Sequence, residues 1–110
     1  MPKFTITAAD KVTKHEVEGR ACGKHFFVHQ AVDKHIKPVK GIWNCTHRVS
    51  GASIGSLNTR AQAIMYGKAM ANAPHVDWTK MDPMEGLSKE QKKELGHYRN
   101  EAKLNAKANA

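Results

Sequence analysis

In the first half of the chain, large apolar side chains tend to recur at every second position, the period of a strand with one buried face. Residues 3–8 alternate Phe4, Ile6 and Ala8 with Lys3, Thr5 and Thr7. Asp10-Lys11 suits a turn, and residues 12–18 follow with Val12 and Val17 at opposite parity, which predicts a bulge or a weak edge strand. Residues 25–32 are rich in β-forming side chains, and residues 42–49 form a clearer strand that carries Trp43, Cys45, His47 and Val49 on one face. Ser50-Gly51 reads as a tight turn into residues 52–54, because glycine tolerates the positive φ of such turns.

The period changes at Thr59. A Thr cap followed by Gln62 predicts a helix start in which each side chain satisfies a backbone donor of the other. Ala61, Ile64, Met65, Ala69 and Asn72 give that helix a narrow stripe suited to a sheet, with Gly67 permitting close approach. Pro74 ends it, and an irregular connector with Trp78 inside it leads to Ser88 and Gln91, which start a second helix by the same logic. The second helix has a thin stripe of Leu95, Tyr98 and Ala102, which predicts weak docking on its own domain or docking on something else. The expected architecture is α+β: a small, mostly antiparallel sheet of four to five strands packed on one helix, plus a C-terminal helix. Residues 1–73 form a basic core domain, 74–87 a connector, 88–105 the C-terminal helix and 106–110 a disordered tail.

Composition supports that division. Of 19 Leu, Ile, Val and Phe residues, 15 precede residue 65, so the last third has little apolar material of its own. No apolar run approaches the roughly 18–20 residues of a membrane-spanning helix, and the N-terminus lacks the apolar segment of a secretory signal, which together suggest a cytoplasmic protein with reduced Cys22 and Cys45. Zinc is a poor fit. His25 and His29 on one strand stand roughly 13 Å apart, and Cys45 with His47 is two ligands short. Cys45 beside His47 also lacks an oxyanion loop, so the sequence offers no catalytic residue, cofactor or metal site.

Charge carries the positive expectation. Eighteen Lys and Arg oppose ten Asp and Glu, for a net charge of +8. Residues 20–72 hold eight basic residues against the single acid Asp33. Residues 33–41 look like an extended basic loop between strands. Lys34, Lys37 and Lys40, with Arg48 and Arg60, are the expected phosphate contacts of a nucleic-acid-binding face. Lysine outnumbers arginine 14 to 4, which favours sequence-blind contact over base reading.

The segment Trp43-Asn44-Cys45-Thr46-His47-Arg48-Val49-Ser50-Gly51, followed by Thr59-Arg60 opening an Ala-rich helix, resembles small accessory proteins encoded by bacteriophages and prophages. The resemblance covers about 30 residues and carries over no functional residue. It implies a non-enzymatic protein that acts in a bacterial cytoplasm on host nucleic acid or a host enzyme. The second reading is therefore an inhibitor of a nucleic-acid-handling or defence enzyme, with Trp78, Leu95 and Tyr98 as partner anchors. Exposed strand edges make homodimerisation compatible with either reading.

Overall fold

The computed structural model describes residues 3–7, 14–33 and 37–110. The expected turn at Asp10-Lys11 and the side chains of Ala8, Val12 and Lys34 lie outside them. The chain is α+β, as the pattern predicted, with strands β1 (Lys3–Thr7), β2 (Lys14–Glu18), β3 (Arg20–Cys22), β4 (Phe26–Val32), β5 (Pro38–His47) and β6 (Ser53–Leu57). Helices α1 (Arg60–Met70) and α2 (Lys89–Asn109) follow. β1 and β2 form an antiparallel pair whose register is unbroken from Lys3↔Glu18 to Thr7↔Lys14, so β2 is a regular edge strand rather than a bulged one over these residues. The other four strands form one antiparallel sheet in the order β3-β4-β5-β6. Three-residue β3, bounded by Gly19 and Gly23, has no periodicity by which the sequence could announce it.

Each face of the four-stranded sheet has its own cover. Phe26, Val28, Cys45 and Leu57 point to the helices and pack with Ala63, Tyr66 and Met70 of α1. Phe27 points the other way, into a smaller cluster with Ile6 and Val17 of the β1–β2 pair, where the Phe4 ring stacks on it at 4.4 Å. Gly51, at φ +73, lets the β5–β6 turn close. A Cβ there would also lie 2.6 Å from the Thr7 hydroxyl oxygen, because β1 docks on this turn: the Thr7 hydroxyl donates to the Ser50 carbonyl and the Thr7 N–H to the Gly51 carbonyl.

The face that α1 buries differs from the expected stripe. Ala61 and Asn72 are exposed, and the buried positions are Gln62, Ala63, Tyr66, Gly67 and Met70, a face centred roughly 170° around the axis from Ala61. Tyr66 decides the phase. Its ring fits over Gly55 of β6 and its hydroxyl donates to the Ile54 carbonyl at 2.7 Å, so a residue that reads as amphipathic becomes the centre of the contact. Gly67 does permit close approach, since a Cβ there would lie 2.7 Å from the Cys22 sulfur and 3.0 Å from that of Cys45. The Thr59 hydroxyl accepts the Gln62 N–H, while the Gln62 amide oxygen accepts from Asn58, one residue earlier than expected.

Beyond α1, Trp78, Leu95, Ala102 and Ala106 join the core that α1 covers. Ser88 and Gln91 complete the reciprocal cap, and α2 continues to Asn109 with Ala106 fully buried, so residues 106–109 are helix rather than tail. Small Ala102 and Ala106 allow α2 to lie close to α1, which lets a thin stripe suffice. Trp78 locks the connector: its indole N–H donates to the Met70 carbonyl, its own carbonyl accepts from His47 Nε2 at 2.7 Å, and its ring meets Phe26 edge-on. No described helix is long and apolar enough to cross a membrane.

Candidate nucleic-acid interface

The four expected phosphate contacts among the described residues do not form one patch. Lys37 and Lys40 are exposed near the start of β5, and Arg48 sits just past its far end, separated from Lys37 by up to roughly 30 Å of strand. Arg48 lies over the Phe4 ring on the hairpin side, at 5.3 Å from its centroid. Arg60 opens α1 on the opposite, helical side. The loop expected to be an extended arm is instead closed at its base, where the Asp33 N–H donates to the Lys37 carbonyl and the Lys37 N–H to the Asp33 carboxylate. Pro38 pairs with Val32 and regular pairing resumes at Trp43, so Lys40 sits in an irregular stretch of β5, and Lys34 lies outside the described residues.

A second group of cations was not apparent from windowed charge. In α2, Leu95, Ala102 and Ala106 mark the buried line. Stepping about 100° per residue places Lys89, Lys92, Arg99, Lys103 and Lys107 on one flank of that line, and Glu90, Glu94 and Glu101 on the other. The cationic flank extends about 27 Å from Lys89 to Lys107. It runs beside the edge strand β6: Arg99 and Lys103 line a cleft with Ser53, Ile54, Gly55 and Tyr66. Among the described residues no carboxylate pairs with any of these five cations, whereas Glu94 and Glu101 are held by His75 and His97 at 2.8 and 3.1 Å. Tyr98 donates its hydroxyl to the Ala69 carbonyl and Arg99 lies near Tyr66, so α2 is antiparallel to α1 and its last turns approach the end where Arg60 begins.

The expected partner anchors are mostly turned inward. Trp78 is 8% exposed and Leu95 5%, because both fill the gap between α1, β5 and α2. Tyr98 is half-buried with its hydroxyl engaged. A partner therefore meets other residues.

Two buried histidines were candidates only as metal ligands or bases, and each has a structural task. His29 donates from Nδ1 to the Gln30 carbonyl at 2.7 Å, which leaves Nε2 to accept from the Thr46 hydroxyl at 2.8 Å. Burial holds its pKa below the usual imidazole value, opposed in part by the Gln30 hydrogen bond. His47 donates from Nε2 to the Trp78 carbonyl, so Nδ1 accepts from Ser50 at 2.8 Å. Ser50 and His47 line an apolar cavity of about 250 Å³, an arrangement that superficially suits a nucleophile and its base. The nearby N–H groups are already engaged, Ala52 on the Ser50 hydroxyl and Gly51 on the His47 carbonyl, so neither provides an oxyanion donor.

Cys22 and Cys45 are free, and both sulfurs converge beneath Gly67. Their backbones sit on β3 and β5 with β4 between them and two residues out of register, so the Cα atoms are more than about 9.5 Å apart, too far for a disulfide without backbone movement. Burial raises both thiol pKa values, which makes them poor nucleophiles. No group of three or more His, Cys, Asp or Glu among the described residues is arranged to hold a metal. No family model, curated protein or solved structure matches the chain.

Proposed function

We propose that the protein binds nucleic acid through its phosphate backbone, with the cationic flank of α2 as the main contact and Arg60, Lys37 and Lys40 as secondary ones. The observation that carries this reading is the segregation of charge on α2: five of its six cations, with no ion-pair partner among the described residues, lie on one flank, and the helix's acids, with Lys93 beside them, on the other. A surface built only for solubility has no need to separate signs. A polyanion laid along Lys89–Lys107 gains from each cation, while the acidic flank fixes which side of the helix it approaches. The bacteriophage accessory class is the setting in which we place this activity.

The test is anisotropy titration of labelled single-stranded DNA, duplex DNA and an RNA hairpin, at about 50 and 200 mM salt. Five phosphate contacts imply a loss between about a hundredfold and five hundredfold over that range. The double reversal R99E/K103E is expected to weaken binding more than K37E/K40E. Absence of binding at the lower salt, or binding unchanged by R99E/K103E, overturns the proposal and directs the search to an acidic protein partner.

A further inference from the structure

On the helical side, a cleft of about 320 Å³ opens where β3 stops short. β3 pairs with β4 only as far as Arg20↔Val28, so beyond that point no described strand covers the outer edge of β4. The gap is framed by side chains of different chemistry. Gln30 and Trp43 are cross-strand partners and form its floor, with Trp43 half-buried rather than sealed in the core. Arg20 and Arg60 line it, together with the exposed Glu16 and Glu18, two apart on one face of β2. Among the described residues neither arginine is within 4.0 Å of a carboxylate in an ion pair, although both share the cleft with two acids. Both signs of charge thus line one open cleft beside Trp43 without pairing.

We propose that this cleft binds one unpaired guanine nucleotide, free or within a single strand, stacked on Trp43 with Glu16, Glu18 and the two arginines around it. The volume is near the lower end of small-ligand pockets, about 300–1,000 Å³, and suits a single nucleotide. Arginine forks match a phosphate, and an indole face accepts any base. The carboxylates select. They only accept hydrogen bonds, and guanine presents two adjacent donors, N1–H and the N2 amino group, on one edge. Adenine and cytosine each place a ring acceptor beside their amino donor, and uracil flanks its one N–H with two carbonyls, so each turns a lone pair toward the carboxylates. The inference deepens the nucleic-acid reading by assigning a base site, but the cleft can be tested without a strand.

Tryptophan emission of the full chain is titrated with GMP, AMP, CMP and UMP, and strand binding is followed separately by anisotropy with a thymine-only oligonucleotide. GMP is expected to quench saturably, at least tenfold more tightly than the other three, and W43F is expected to abolish the change. E16Q/E18Q, which keeps shape and exposure, is expected to remove the preference for GMP, and R60A to weaken all four nucleotides while leaving the preference intact. No saturable binding of GMP by emission or calorimetry, or equal affinity for all four nucleotides, overturns the assignment. Thymine-strand binding without GMP binding removes the base site and leaves the backbone reading intact. GMP binding without strand binding does the reverse.

Discussion

The two faces of the four-stranded sheet hold their covers by different means. On the helical face, α1 and α2 interlock with the sheet through shape: the Tyr66 ring occupies the space left by Gly55, and the two cysteine sulfurs occupy the space left by Gly67. On the other face, the β1–β2 pair rests on the Phe4–Phe27 stack, on Ile6 and Val17, and on two hydrogen bonds from Thr7 to the β5–β6 turn. The first arrangement opens only if many contacts are lost together, and the second can lift locally. The proposed functional surfaces divide accordingly. The cationic flank belongs to the interlocked layer, and the Glu16/Glu18 lining of the cleft belongs to the liftable one.

The strongest way to break the comparison is to delete residues 77–110. This removes Trp78, Leu95, Ala102 and Ala106 from the main core and uncovers Tyr66 and Met70. Loss of Trp78 alone is worth about 3–5 kcal/mol, a large share of a typical stability of about 5–15 kcal/mol. The truncated chain is expected to show no cooperative thermal transition by circular dichroism. A sharp transition at the temperature of the full chain would show that α1 closes the core unaided.

Next in size is Gly55→Ala. The new methyl would lie 2.6 Å from Tyr66 Cε2 and 2.8 Å from Cζ, in a ring that is fully buried and tethered through its hydroxyl. Because the ring has no room to retreat, the expected cost is about 1–3 kcal/mol by urea denaturation. A neutral result would mean that the helical face yields as readily as the hairpin face.

Much of this fold was legible in the sequence, and the unread parts have separate physical causes. Alternation located β1 and β5, β-forming composition located β4, and Thr59 and Ser88 located both helix starts, because these signals are local. The phase of α1 was misplaced because Tyr66 and Gly67 count as weakly apolar or neutral, and their burial depends on glycine and cysteine partners brought from other strands. The cationic flank was hidden for a different reason. A net charge summed along the sequence adds Glu90, Glu94 and Glu101 to the lysines between them, and only the 3.6-residue period separates the two signs. Arg60 was read only as a phosphate contact, and its grouping with Trp43, Arg20 and two glutamates depends on where β3 ends, which no local pattern records.

A smaller effect is expected from Phe4→Ala, on the hairpin side. The ring is half-buried, so its stack on Phe27 and its contact with Arg48 are worth about 1–2 kcal/mol together. The comparison predicts where the loss falls. Native-state hydrogen exchange is expected to quicken in β1 and β2 while α1 keeps its protection. Equal loss of protection in α1 would mean that the two covers open as one unit.

The subtlest test uses the histidine that the hairpin face buries. Burial lowers the pKa of His29, so the unfolded chain takes up a proton at a higher pH than the folded one. Stability from this site is therefore fully present above the unfolded value of about 6.5. It is lost as pH falls below that value toward the lowered folded-state pKa, because the unfolded state binds more protons across the interval. The neutral ring is also the form whose Nε2 accepts from Thr46, so protonation would set two donors against each other unless the hydroxyl turned away. Urea denaturation from pH 7.5 to 5 is expected to fall more steeply for the native chain than for His29→Gln. Identical slopes would show that the hairpin-side histidine does not contribute to acid sensitivity.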